Sequence, residues 1–203
     1  MRGRVHREDW NRRYSKADLL WSATPNRFLV SEAEGLAPGR AIDLACGEGR
    51  NAMWLAELGW RVTAVDFSSV AIEKARRRAA DEDLDVEFIC SDLLEYEPDP
   101  SMYDLVLVLY LQLSGDERRI VLSRAASALA PSGTFLLVGH DRTNMTEGVG
   151  GPSDPAVLYT PDEVVSELPG LEIEKAERVL RDVADADRPA IDALVRARRP
   201  ERL

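Results

Sequence analysis

The 203 residues contain two cysteines and two histidines. Cys46 and Cys90 each sit in or beside an apolar run and read as small buried residues. Two such cysteines build neither a disulfide framework nor a thiol metal site, so no metal is expected. No run of about 18 apolar residues occurs, and Met1 to Arg13 is charged, without the short apolar core of a secretory leader. The expectation is a cytoplasmic protein with no membrane partner. Positive charge is in the minority: 26 Lys and Arg face 36 Asp and Glu, a formal net charge of −10. Bulk phosphate binding needs the opposite sign, so no nucleic-acid partner is expected, although RNA as a small, locally read substrate stays open. Repeats and low-complexity blocks are missing too, so residues 1–203 are expected to form one domain. Nothing speaks for any oligomeric state.

What is present is alternation. Short apolar runs at Arg40 to Ala45, Arg61 to Val65, Val86 to Cys90, Tyr103 to Leu109 and Thr134 to Gly139 are separated by helix-like segments. Parallel strands joined by crossover helices produce this pattern, and continuous apolar runs suit strands covered on both faces. Helices are expected over Arg50 to Leu58, stopped by Gly59, and from Ser68 and Ser69 to about Ala80. Two more follow the capping-box spellings Ser114-Gly115-Asp116-Glu117 and Thr160-Pro161-Asp162-Glu163. The first of these is expected to end at Pro131-Ser132-Gly133. Leu171 to Arg181 and Pro189 to Arg198 stand too close for a crossover helix and predict an antiparallel hairpin. Two short helices, Glu8 to Tyr14 and Asn26 to Leu36, precede the first strand as a cover over residues 1–37. The fold class is therefore α/β, a Rossmann-like doubly wound sheet, mostly parallel with an antiparallel C-terminal end.

The first strand runs into Cys46-Gly47-Glu48-Gly49-Arg50-Asn51 and then a helix. Glycines at 47 and 49 let the backbone turn tightly and approach a ligand, beside the free N–H groups of a helix start. Gly47-x-Gly49-x-x-Ala52 fits a dinucleotide fingerprint. The second strand ends at Asp66, 19 residues after Gly47, where a carboxylate can accept ribose hydroxyls. The third ends at Asp92 and Leu93, placed for an adenine amino group and face, with plain helix capping as the other reading of both aspartates.

Asp43-Leu44-Ala45-Cys46-Gly47-Glu48-Gly49, Asp66 and Asp92-Leu93 together resemble the class I methyltransferases that use S-adenosylmethionine (SAM). The run from Asp43 to Ser68 and the aromatic segment from Glu8 to Phe28 resemble, more narrowly, the small bacterial tellurite-resistance and thiopurine methyltransferases. The resemblance implies a seven-stranded sheet, SAM as cofactor, and methyl transfer by in-line displacement to a small-molecule acceptor. It implies a cofactor site of Asp43, Ala45, Cys46, Gly47, Gly49, Arg50, Asn51, Asp66, Phe67, Ser68, Asp92 and Leu93, with Tyr14 and Trp21 from the N-terminal segment. Asp43 would face the methionine amino end. The family often has glycine where Ala45 stands, and the alanine is expected to adopt an ordinary negative φ.

On the acceptor side the candidates follow the later strands: Tyr110 and Gln112 after the fourth, His140 and Asp141 after the fifth. His140, the one histidine at a strand tip, is the preferred base, with Tyr110 beside it. Residues 140–159 carry no periodic pattern and are rich in glycine and proline, as a lid over the acceptor would be. Trp10 would add cover from the N-terminal side. Arg76, Arg77, Arg78, Arg196, Arg198 and Arg199 read as solvated charge. Two rival readings stay open, a nicotinamide oxidoreductase on the same glycine turn and a SAM-binding protein without turnover.

Overall fold

The computed structural model describes residues 7–201. The chain runs α1 (Arg7–Tyr14), α2 (Arg27–Ala33), β1 (Arg40–Leu44), α3 (Arg50–Glu57), β2 (Arg61–Asp66), α4 (Ser69–Asp81), β3 (Val86–Cys90), β4 (Tyr103–Leu109), α5 (Gly115–Ala128) and β5 (Leu129–His140). It continues through α6 (Asn144–Glu147), a 3-10 turn at Pro155–Val157, α7 (Pro161–Ser166), β6 (Glu172–Arg181) and β7 (Ala190–Arg198). Seven strands form one sheet in the order β3-β2-β1-β4-β5-β7-β6. All neighbours are parallel except β7, which is antiparallel to both β5 and β6. The seven strands and the closing hairpin are those expected. The strand order reverses between β1 and β4, and the crevice beyond their carboxyl ends is where ligands bind in open α/β sheets.

Alternate residues of the central strands feed two cores. Ile42, Leu44, Val106 and Val108 pack with Val121, Leu122 and Ala125 of α5, and Val164 of α7 joins them. Ala41, Leu105 and Leu107 face the other way, onto Leu29 of α2, Ala52 and Leu55 of α3, and Ile72 and Ala75 of α4. Arg118 of α5 reaches Glu167 with two hydrogen bonds of 2.9 and 2.8 Å, a buried ion pair that locks α5 to the end of α7. Among the described residues no helix is long and apolar enough to cross a membrane.

Several local expectations are corrected. α5 stops at Ala128, and Leu129 already pairs with Tyr103. Pro131-Ser132-Gly133 is thus a bulge at the start of β5, with Ser132 at φ 63°, and the helix has ended before it. Gly133 is needed there because a Cβ would stand 2.8 Å from the Tyr103 carbonyl. Cys90 is exposed and only Cys46 is buried. The arginines are not all solvated. Arg76 donates to the Phe88 carbonyl, Arg78 to the Glu48 carbonyl, Arg196 to the Glu32 carbonyl and Arg199 to Ser101. These tie elements together, whereas Arg77 makes only the surface pair with Glu73 expected of a solvated face.

Candidate functional site

β1 delivers Asp43 to the reversal point on the α3 side of the sheet. Its carboxylate is fully buried and neither oxygen has a hydrogen-bond partner. Burial, and then the charge of Asp66, push it up to about 7 against a smaller opposing pull from Arg50. Past β1 the chain makes three left-handed residues, Ala45 at φ 73°, Gly47 at 56° and Gly49 at 77°. The ordinary φ expected for Ala45 is therefore wrong: the turn that brings Ala45 and Cys46 N–H onto the Val65 carbonyl requires the glycine-favouring conformation. Side chains at 47 and 49 are excluded by contact as well, since a Cβ would lie 2.9 Å from Tyr14 Oη at the first and 2.9 Å from the Phe88 ring at the second.

Asp66 closes β2 and folds the loop around itself, accepting from Gly47 N at 2.9 Å and Ser68 N at 2.8 Å. Burial raises its carboxyl and the backbone donors, Ser68 first, lower it, leaving it above the usual value. A carboxylate offers about four acceptor positions, and the backbone donors do not use them all, which leaves room for a ligand. Ser68 caps α4 through Ala71 N and meets Asn11 at 2.6 Å, with Phe67 half-buried beside it. Asp92 is half-buried and accepts from Leu94 N at 3.0 Å. Leu93 is turned into the α5 core with Leu44 and Val121 and is 8% exposed. The apolar preference of the side chain is met there, so the structure separates it from the open face its neighbour Asp92 keeps.

The N-terminal segment is strapped across this loop. Lys74 Nζ donates to the Tyr14 and Ala17 carbonyls, both at 2.5 Å, and pairs with Glu48 at 3.1 Å. Glu48, from between the two glycines, accepts from Leu20 N at 2.9 Å and Trp21 N at 3.3 Å. Tyr14 is thereby buried over Gly47, with Trp10 stacked 5.7 Å behind it and Trp21 left half-exposed. Arg50 donates to Ser22 at 3.0 Å, and Asn51 accepts from Asn26 N at 2.8 Å, extending the strap to the start of α2. Lys74, Glu48 and Asn26 escaped the sequence reading, because a clamp between segments 26 and 60 residues apart has no local spelling.

Beyond β4 the backbone turns at Tyr110 with φ 56°, an unusual conformation for an aromatic residue and one that aims its ring back at β5 and β7. Its ring lies 5.1 Å from that of His140, and its hydroxyl donates to Asp192 at 2.8 Å. Arg181 Nε donates to the same hydroxyl at 3.0 Å and to Asp192 at 2.7 Å. Gln112 lies in the half-buried link to α5. Asp141 is buried and its Oδ1 is taken by Thr143 and by Arg178 at 3.1 Å, which holds the base of the following loop. That loop is folded: α6 and the 3-10 turn interrupt it, and Asn144 accepts from Ile191 N at 2.7 Å and donates to the Gly150 carbonyl at 2.9 Å. Elements of four and three residues leave no periodicity to read. Asp192 and Arg181 were also missed, although an aspartate within Ala-Ile-Asp-Ala-Leu-Val is a signal in itself.

Residues 41–133 match the model of a methyltransferase domain family. The demethylmenaquinone methyltransferase of Clavibacter sepedonicus is 32% identical over 120 residues, 59% of this chain and 47% of that protein. The ribosomal RNA small subunit methyltransferase C of Alcanivorax borkumensis is 31% identical over 108 residues, 51% of this chain and 33% of that protein. The chain thus spans about half or less of the length of the curated relatives it matches. Among solved structures, the N-methyltransferase NodS of Bradyrhizobium japonicum with S-adenosylhomocysteine superposes with a TM-score of 0.71 at 20% identity, covering 96% of this chain and 98% of that one. TehB of Haemophilus influenzae gives 0.71 at 20% identity, covering 86% and 62%. At these identities the structures speak for the fold. The 41–133 match makes that stretch a methyltransferase domain, and the strand order gives the chain the fold of the class I SAM-dependent methyltransferases.

Proposed function

We propose that this protein binds SAM over the ends of β1, β2 and β3 and transfers its methyl group to a small-molecule acceptor. One observation carries the reading: Asp43, a fully buried carboxylate without a hydrogen bond, stands at the sheet's reversal point beside a glycine turn. A cationic amino group is the partner such a carboxylate lacks, and SAM has one. A nicotinamide cofactor offers no ammonium there, which weighs against the oxidoreductase reading.

In this reading Asp43 receives the ammonium, the unused acceptor positions of Asp66 take the ribose hydroxyls, and Asp92 takes the adenine amino group. Gly47 and Gly49 give close backbone approach, and Tyr14 with Trp21 covers the cofactor. An aromatic face toward a cation contributes about 0.5–2 kcal/mol. SAM supplies a methyl group already activated on a sulfonium. The protein must align the acceptor with it and exclude water, and alignment of this kind is worth about 7–11 kcal/mol in favourable cases. Tyr110, Gln112, His140 and the folded 140–159 loop are placed for the acceptor.

We read residues 1–203 as one domain, with 1–37 as its cover and 38–203 as its core; residues 1–6 and 202–203 of that range lie outside the described residues. The small tellurite-resistance and thiopurine group is the subfamily we favour on the aromatic N-terminal segment, a likeness in the cover that does not fix the acceptor. Incubation with methyl-labelled SAM and a panel of quinols, phenols, thiols, tellurite and RNA tests the reading. Label transfer to a small molecule with release of S-adenosylhomocysteine supports it. Label on RNA alone moves the acceptor class, and no transfer to any member refutes it.

A further inference from the structure

The reading above puts His140 on the acceptor side but leaves unused the carboxylate that faces it across β5 and β7, Asp192. These strands run antiparallel with His140 opposite Asp192, and the register brings imidazole Nδ1 to 3.2 Å from Asp192 Oδ1. Both atoms are buried and neither has a hydrogen-bond partner among the described residues, so the 3.2 Å approach is the polar contact they share. The second carboxylate oxygen accepts from Tyr110 Oη and Arg181 Nε. Burial raises the Asp192 carboxyl, but His140, Arg181 and Tyr110 together hold it below the usual carboxylate value. It is therefore ionised at neutral pH. An ionised carboxylate facing Nδ1 fixes the neutral imidazole as the Nδ1–H tautomer and leaves the Nε2 lone pair free.

Nε2 bonds to none of the described residues and is not among the buried atoms, and the side chain is 13% exposed. Gly151 borders the ring with backbone alone, since a Cβ there would stand 3.0 Å from Nδ1. The Tyr110 ring lies 5.1 Å from the imidazole, centroid to centroid. The ring faces a carboxylate at one nitrogen and is open at the other.

We infer that His140 is the catalytic base for a hydroxyl acceptor, phenolic or enolic, and that Asp192 is the positioning residue that orients it. The inference rests on the methyl-transfer reading. An oxygen lone pair of the acceptor forms the new O–CH3 bond as the S–CH3 bond breaks, and that bond's electron pair stays on sulfur. The hydroxyl proton passes to Nε2, the resulting imidazolium keeps its Nδ1–H on Asp192, and Nε2 later releases the proton to water. A thiolate or tellurite oxyanion, already ionised, has no use for such a base.

Two measurements test this together. The first is nitrogen-15 NMR of the imidazoles, which needs no cofactor; the chain has only His6 and His140, and His140→Gln assigns them. The second is kcat/KM for a series of substituted phenols with SAM at about pH 8, for wild type, Asp192→Asn, Asp192→Glu and His140→Gln. His140→Gln leaves Asp192, Arg181 and Tyr110 bonded to one another, which keeps a folded variant in the set. The expected result is the Nδ1–H tautomer in wild type, lost in Asp192→Asn. For phenols of pKa about 10, kcat falls about 10²- to 10⁴-fold with little change in KM. For 4-nitrophenol, ionised at this pH, the loss shrinks to within about tenfold, and Asp192→Glu recovers part of the activity. An Nε2–H tautomer in wild type, equal losses along the series, or a wild type that methylates only thiols or tellurite overturns the inference. A protein that binds no S-adenosylhomocysteine overturns the methyl-transfer reading instead, and the tautomer then judges the pair alone.

Discussion

Replacing Asp43 by asparagine should stabilise the ligand-free protein above neutral pH while weakening its hold on the cofactor. Burial and Asp66 move this carboxyl from its ordinary 3.8 to about 7, whereas the unfolded chain titrates it near 3.8. A folded value above the unfolded one means that the associated stability is complete below about pH 4 and is lost as pH rises toward 7. At 1.36 kcal/mol per pKa unit, the interval from 3.8 to about 7 comes to about 4 kcal/mol. About 1.7 kcal/mol of this is already gone at pH 5, so some 2.5 kcal/mol remains to be lost by pH 8. Asparagine has the same shape and never ionises. Thermal melts of the two proteins should therefore show a gap in Tm that widens in favour of Asp43→Asn by about 5–10 °C between pH 5 and pH 8. The same proton reports on ligand binding. At pH 6 about nine-tenths of folded molecules carry it, and an ammonium group seated on Asp43 expels it. Titrations of S-adenosylhomocysteine in two buffers of different ionisation enthalpy should show close to one proton released, and none in Asp43→Asn. A Tm gap that stays constant or widens in favour of wild type refutes the reasoning.

Three further outcomes are expected. S-Adenosylhomocysteine should raise the Tm of wild type, and Asp66→Ala should remove most of that rise, because it loses both the ribose acceptors and the hydrogen bonds to Gly47 and Ser68; an undiminished rise would contradict the site. Ala45→Gly relieves about 1–2 kcal/mol of left-handed strain against about 0.5–1 kcal/mol of added chain entropy, so calorimetric scans should show Tm higher by about 2 °C, and a lower Tm would contradict this. Arg118→Met leaves the buried Glu167 with only the 4.0 Å approach of Arg119, at a cost of up to about 3–5 kcal/mol. Urea titration should recover most of that loss in Arg118→Met with Glu167→Met, and a double variant no better than the single would show that the charges are not the cause.

The strands were legible because β1, β2, β4 and the Thr134–His140 part of β5 are mainly apolar runs, with β3 a shorter one at the sheet edge, and the hairpin because β6 and β7 are separated by too few residues to cross over. The glycine loop and its aspartates were legible because their spacing is local. What stayed hidden depends on distant chain. Ala45 takes its φ from the Val65 carbonyl on the neighbouring strand. Lys74 takes its role from the carbonyls of Tyr14 and Ala17, some 60 residues away in the chain. Leu93 has the chemistry of an adenine contact, yet the α5 core claims it. Asp192 acquires meaning only from the β5–β7 register that sets it against His140.

The central claim is that the turn after β1 is a cofactor site for an amino-acid-bearing nucleoside. Isothermal titration of the full chain with S-adenosylhomocysteine, and in parallel with NADH, tests it most directly. The account predicts saturable binding of one S-adenosylhomocysteine per chain, abolished by Asp66→Ala, and no heat from NADH. Binding of NADH, or silence toward S-adenosylhomocysteine at millimolar concentration, would contradict it.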